Sequence, residues 1–293
     1  MKKILSILLI AGMIPFISYG QNKKDKEAEQ KRPDSFMQDS IAKTKNDLSK
    51  LKLIGKVKSL TETIDKVVKD KNDSLKGKQI YSFNDKGNKI EESQYNSDGS
   101  LRNKLSYKYN DNGNMIEETH LKPDGRLSYK HTYKYDNNGN NIEDIDFGSM
   151  VKFTYKYDNK GNEIEQKCFF KDSLIDKVIS KYDDKGNKIE GFSYKYKSVD
   201  SIFEDKSIYK YDDKGNRIES NRYNSDGSLR HKIIFKYDDK GNEIESNWYK
   251  PDGSLGFFSS CKYEYDKTGN WIKKTYFKKD ILNLVKEREI EYY

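Results

Sequence analysis

The sequence predicts an all-β fold: an elongated antiparallel repeat sheet of consecutive β-hairpins, with a short N-terminal helix. Three observations predict it. A Gly-Asn pair recurs eight times, from Gly87-Asn88 to Gly269-Asn270, at intervals of 22 to 29 residues, the period of a repeat architecture. Aromatic and polar residues alternate on the approach to each pair, as in Tyr107-Lys108-Tyr109, which is the period of a half-buried strand. The chain of 293 residues is 33% hydrophobic and 35% charged, yet carries 23 Tyr and 13 Phe, so rings must supply the core that aliphatic residues do not. A mean hydropathy of −1.06 would suit a disordered polymer. The modest net charge of +8 and the aromatic content argue against that. The long apolar strands of a doubly wound α/β enzyme are missing.

Residues 1–20 read as a secretory signal peptide. Lys2 and Lys3 precede an apolar run from Ile4 to Ile17, and Ser18 and Gly20 stand at −3 and −1 of a cut before Gln21. The run is short for a membrane-spanning helix; an uncleaved anchor is the alternative. No Cys follows the run to carry a lipid. The expectation is an exported protein, in the periplasm, at the cell surface or outside the cell, with no membrane span after signal removal.

Residues 21–55 read as a charged lead and a short amphipathic helix. Ser35 and Gln38 fit a capping box, Met37, Ile41, Thr44, Leu48 and Leu51 follow helical spacing, and Gly55 is a stop. Residues 56–293 form the β-hairpin repeat domain with eight repeats. Val57–Val68 is rich in β-branched residues and is expected to be a strand covering the first repeat's edge, since open edges recruit other strands. Eight hairpins and this strand give about seventeen strands.

Alignment on the repeat glycine sharpens the pattern. Three residues after it stands Ile every time, from Ile90 to Ile272. Four before it stands an aromatic every time, from Phe83 to Tyr265, and six before it an aromatic except at Ser180. Eight after it comes Tyr, Phe or Leu. Asp-x-x-Gly-Asn is turn chemistry, because Asp bonds its own backbone and Gly accepts positive φ. A second turn follows at Asp98-Gly99, Asp124-Gly125, Asp226-Gly227 and Asp252-Gly253, with Pro123 and Pro251 before two of them. That predicts type I turns closed by a Gly bulge.

Tyr109-Asn110-x-x-Gly113-Asn114, Tyr135-Asp136-x-x-Gly139-Asn140 and Tyr211-Asp212-x-x-Gly215-Asn216, each followed by Ile-Glu, make the chain resemble the YD-repeat (Rhs-type) family over roughly Gln79 to Tyr293. Large members of that family look like shells around a toxic C-terminal domain. This chain departs from them by being short and by ending in a strand-like segment; the resemblance implies a short exported bacterial member without a toxin domain, and says little about activity.

Charge sets the expected register. Lys stands five before the glycine in six repeats and Glu four after it, and the last repeat exchanges the signs as Glu264 and Lys273. Direct pairing across the hairpin explains the exchange, each pair being worth roughly 0.2–1 kcal/mol. In that register Tyr at −4 faces Ile at +3, and the core shelters phenolic rings against isoleucines. Ile at +3 and the aromatic at +8 then point to opposite faces unless a bulge separates them. The rival register, a three-residue loop with a Gly bulge, pairs Lys with Ile and loses the charge match.

Candidate sites are few. Lys86, Lys160, Lys185, Lys214 and Lys240 lie inside the Asp-rich turns and oppose a calcium reading. His120, His131 and His231 lack metal spacing and read as solvated strand residues. Cys168, beside Phe169 and Phe170, reads as a buried filler, and Cys168 and Cys261 as two separate thiols. No nucleophile elbow or phosphate loop stands out. The sequence therefore implies a non-catalytic binding or scaffold module at the cell envelope, with no cofactor, no metal and no nucleic-acid partner. A glycan-binding module using exposed Tyr or Trp is the alternative, with Trp248 and Trp271 as candidate ligand-contact aromatics; a surface enzyme is the third. Expected partners are cell-surface polysaccharide or another envelope protein.

Overall fold

The structure, a computed structural model, describes residues 46–66, 75–197 and 200–293. The chain divides into two units, Met1–Ile41 and Ala42–Tyr293, and every described residue belongs to the second. The signal peptide, the charged lead and the first part of the expected helix, Met37 to Thr44, lie outside the described residues.

The described residues form eighteen strands and one helical turn. The strand β1 (Val57–Lys66) comes first. Eight hairpins follow, each closed by one Gly-Asn turn: β2 (Leu75–Phe83) with β3 (Lys89–Tyr95), β4 (Leu101–Tyr109) with β5 (Met115–Leu121), β6 (Leu127–Tyr135) with β7 (Asn141–Asp146), β8 (Val151–Tyr157) with β9 (Glu163–Phe170), β10 (Ser173–Tyr182) with β11 (Lys188–Lys197), β12 (Asp200–Tyr211) with β13 (Arg217–Asn224), β14 (Leu229–Tyr237) with β15 (Glu243–Tyr249), and β16 (Leu255–Tyr265) with β17 (Trp271–Lys278). A last strand, β18 (Ile281–Tyr292), completes the set.

The sheet is closed, and this corrects the elongated arrangement expected from the sequence. Each strand pairs antiparallel with its neighbours in sequence, and β1 pairs with both β2 and β18. The result is an eighteen-stranded antiparallel barrel. The expected strand at Val57 does cover the first hairpin, but its other edge takes up β18, so no edge remains among the described strands. The physical reason is that β1 and β18 can satisfy each other's backbone groups only by meeting, which a linear array leaves undone.

The expected amphipathic helix is also corrected. Within the described residues it is one turn, α1 (Asp47–Lys50), capped by the Asn46 side chain accepting from Ser49 N. Lys52 takes φ +54° and ends it. The barrel claims the segment's hydrogen bonds instead: Leu48 N donates to Gly87 O, and Ile54 N donates to Asn270 Oδ1. Leu48 and Leu53 then pack with Val57, Leu60, Tyr81 and Phe83 in the hydrophobic core.

The turns combine both expected registers. Asp136 N donates to Asn140 O and Gly139 N to Asp136 O, which is a three-residue loop, and the eight repeat glycines take φ from +75° to +93°. One residue further on, a bulge falls at Ile in every hairpin. Tyr135 pairs with Asn141, then Lys134 pairs with Glu143, skipping Ile142. Lys210 and Glu219 pair in the same way, and so do Glu264 and Lys273. The charge match is therefore kept, but Tyr at −4 faces the residue at +2, not Ile. The isoleucines, expected in the core, point outward: Ile90, Ile116, Ile142, Ile164 and Ile218 are 36–42% exposed. The bulge turns the chain so that +3, +4, +6 and +8 share the outer wall, which removes the conflict between Ile and the aromatic at +8. The second turns at Gly99, Gly125, Gly227 and Gly253 form as expected, with φ near +80°.

Candidate functional site

The inner wall is built from the positions at −4, −6, +2 and +5. At −4, the phenol of six hairpins reaches a backbone carbonyl of the preceding one. Tyr109 donates to Lys89 O at 2.6 Å, Tyr135 to Met115 O, Tyr157 to Asn141 O, Tyr182 to Glu163 O, Tyr211 to Lys188 O and Tyr237 to Arg217 O. The need arises from the bulge. Between β7 and β8 the ladder ends at Glu143 and Thr154, so the Asn141 carbonyl has no strand partner there and the phenol supplies the donor. The Tyr of the repeat is thus a structural staple between hairpins.

At −6, phenols meet carboxylates. Tyr81 donates to Glu62 and Tyr107 to Glu92, both at 3.2 Å, and Tyr155 donates to Asp144. Burial and the adjacent carboxylates push these phenols far up, so they stay protonated donors. The same burial raises the Asp144 carboxyl. Burial also raises Glu62, but Lys286 at 2.6 Å and Arg288 at 2.9 Å outweigh it and hold that carboxyl below its ordinary value. These are completed buried networks, and they leave the aromatic columns as core.

The two tryptophans face this inner wall. Trp271, expected at an exposed position, is only 9% exposed, with the Arg288 guanidinium 3.4 Å from its ring centroid and Tyr263 edge-on. Trp248 is half-buried and lies over Gly256, where an added Cβ would come within 2.2 Å of the indole. Neither ring presents a face to the outer surface. The histidines differ from the solvated reading: the His120 ring bonds Glu118 and stacks on Tyr129 at 3.7 Å, and His131 lies 3.7 Å from Asp146. Cys168 is half-buried and Cys261 buried, both as free thiols. Burial pushes the Cys168 thiol up to about 12, which disfavours its thiolate at neutral pH. Among the described residues no group of three His, Cys, Asp or Glu side chains is placed to hold a metal ion.

The outer wall is charged, and half of its pattern was missed in the sequence. Besides Lys at −5, a second lysine column stands at −9: Lys78, Lys104, Lys130, Lys152, Lys177, Lys206 and Lys232. From Lys104 onward each lies one strand beyond the preceding hairpin's Glu. The results are bridges across three strands: Lys108–Glu117–Lys130, Lys156–Glu165–Lys177, Lys181–Glu190–Lys206 and Lys210–Glu219–Lys232. In these the Glu side chains are 14–23% exposed, whereas the −5 lysines are 60–68% exposed. Carboxylates sit at the base and ammonium groups face outward. Glu117 is held at about 2 by the hydrogen bonds from Lys108 and Lys130. For Glu165 and Glu219, partial burial raises the carboxyl, but the lysines on both sides bring each to about 2. The signal for the −9 column was present in the same alignment; it needed a pairing between hairpins, not within one.

No family model matches the chain, and no curated protein matches it. Similar solved structures include the crystal structure of TcdB2-TccC3-Cdc42, at 12% identity and a TM-score of 0.32, covering 74% of this chain and 14% of that one. The Photorhabdus luminescens Tc holotoxin pore has 12% identity and a TM-score of 0.34, with 78% and 16% covered. A porin-like protein from Bacteroides uniformis has 9% identity and a TM-score of 0.44, with 80% and 96% covered. The chain thus spans about a seventh of the first structure's length. With TM-scores below 0.5, these likenesses say nothing about what the barrel does.

Proposed function

We propose that this chain is an exported, non-catalytic YD-repeat-like barrel that acts as a binding or scaffold module at the cell envelope, engaging partners through its outer wall and turn-lined rims. The observation that carries the reading is the division of labour between the two walls. Inward phenols at −4 and −6 are spent on carbonyls and carboxylates of the fold, and closure leaves no strand edge for β-augmentation among the described strands. The remaining surfaces are the outer wall and the turns. The export signal read from Lys2 to Gly20 supplies the location.

A transmembrane pore is the second reading, since an eighteen-stranded barrel is wide enough for an aqueous channel. The outer wall opposes it. The −9 lysines, such as Lys130 in β6, Lys177 in β10 and Lys232 in β14, stand in mid-strand positions where a lipid-facing barrel carries an apolar band, and each lysine there would cost about 2–4 kcal/mol at the bilayer midplane. The test is purification without detergent followed by a liposome dye-release assay. The expected outcome is a monodisperse protein that releases no dye. Dye release, or a hydrolase activity abolished by one acidic substitution, overturns the reading.

A further inference from the structure

We infer that the outer lysine belt binds a linear anionic polysaccharide of low charge density, laid around the barrel from β4 to β15. The inference rests on the binding-module reading above and names the partner class for its outer wall. The lysine belt repeats with the hairpin. Each of the six hairpins from β4/β5 to β14/β15 contributes two outer lysines and one outer glutamate, as with Lys104, Lys108 and Glu117 or Lys232, Lys236 and Glu245. In these columns one positive charge per hairpin is left over; on β8/β9 the further lysine, Lys167 beside Glu165, is offset by Asp172 beside Lys152. The exposed ammonium groups of Lys108, Lys134, Lys156, Lys181, Lys210 and Lys236 mark its course.

Successive hairpins are two strands apart, about 9.6 Å along the wall. The belt therefore offers one uncompensated cation per roughly 10 Å over six hairpins. That density discriminates between polyanions. Duplex DNA carries one charge per about 1.7 Å of axis, several times more than the belt neutralises. A glycan with one carboxylate per disaccharide is far closer in density. The flanks suit a sugar chain as well. Exposed isoleucines at +3 border the lysines on one side, and rings at +8 such as Phe169, Tyr194 and Tyr223 pair with the −9 lysines on the other, giving apolar surface for the faces of pyranose rings. The belt has an end. Around β18 the outer wall carries three exposed carboxylates, Glu287, Glu289 and Glu291, of which Lys273 and Lys58 bridge two, so the positive excess ends there and the polymer is confined to one arc.

The experiment uses the full chain and immobilised hyaluronan, with dextran and duplex DNA as comparators, at low and raised salt. The expected result is hyaluronan binding that weakens as salt rises, with weaker retention on dextran and on DNA. Replacing Lys108, Lys134, Lys156, Lys181, Lys210 and Lys236 by Gln should weaken hyaluronan binding at least tenfold while thermal unfolding still shows a folded barrel. Replacing the turn lysines Lys86, Lys160, Lys185, Lys214 and Lys240 by Gln should change it less than about twofold, which separates the belt from net charge. Equal losses in the two variants, equal retention on dextran, tighter binding to DNA, or low-salt self-association that accounts for the retention each overturn the inference. A protein that releases no liposome dye yet ignores hyaluronan sinks this inference alone; dye release sinks the binding-module reading beneath it.

Discussion

Glu62 shows what a single side chain does in this wall. It is 2% exposed, lies between Arg288 and Lys286, and accepts from Tyr81. Arg288 in turn covers Trp271. Replacing Glu62 with Ala strands a buried guanidinium, and the expected loss is about 3–5 kcal/mol, read from the denaturant midpoint. Little of this was legible beforehand. Glu62, Lys286 and Arg288 lie outside the eight repeats, and no period in the sequence links residue 62 to residue 288. The turn glycines were legible, because Asp followed by Gly at turn spacing marks a positive-φ corner, and their contacts separate two roles. Gly87 and Gly227 share φ near +80°. A Cβ at Gly87 would come within 2.5 Å of the Asn46 side chain, whereas at Gly227 nothing lies within 4 Å. Ala at Gly227 should cost about 1–2 kcal/mol for the left-handed backbone alone. Ala at Gly87 should cost more and should also speed amide exchange at Leu48, whose N–H is held by the Gly87 carbonyl. Equal costs would mean that α1 is not held by that turn.

At the scale of the hairpin, charge and turn chemistry were legible and the bulge was not. The exchange of signs at Glu264 and Lys273 located the cross-strand pair correctly. The Asp-x-x-Gly-Asn loop located the turn correctly. The two demand registers one residue apart, and only a bulge at Ile satisfies both; a β-branched apolar residue gives no sign that it will be skipped and turned outward. The lysine bridges then make a pH prediction. Glu117, Glu165 and Glu219 are held at about 2 against an ordinary 4.5. A carboxyl lowered in the folded state binds protons less readily there than in the unfolded chain. Its contribution is complete above about pH 4.5 and is lost as pH falls toward 2. The thermal midpoint should therefore drop across that window, and changing the three residues to Gln should flatten the drop while lowering stability at pH 7. A second measurement reads the pair itself: a double-mutant cycle on Lys210 and Glu219 should give a coupling of about 0.2–1 kcal/mol, and swapping the two residues should recover most of it, as the natural swap at Glu264 and Lys273 already implies.

Over the whole barrel, closure decides how the molecule responds to damage. In an open repeat array each hairpin meets only its neighbours, and the ends fray. Here β1 is hydrogen-bonded on both sides, to Tyr81 and its neighbours in β2 and to Ile290 and its neighbours in β18. The ends of the array are joined, so losing one strand breaks two interfaces. That property could not be read from any one repeat. It depends on the sum of eighteen strand twists and on β18, which follows a Lys279-Asp280 corner with both φ positive instead of a glycine turn. Its inner residues include Lys286 and Arg288, so it shows no clean apolar alternation either. A chain beginning at Leu75 lacks β1 and α1 and uncovers β2 and β18 together. Unpaired edges seek partners, so this chain should associate as concentration rises, with light scattering reporting species larger than the monomer. Amide exchange in β2 and β18 should quicken while β8 to β12, on the other arc, stay protected. The intact chain with Thr61→Pro, which removes one donor in the middle of β1, should show the same local exchange without the added length of bare edge. A truncated chain that stays monomeric with β18 amides as slow as before would mean that β1 is an ornament on a sheet that holds itself, and that the ring is not what stabilises it.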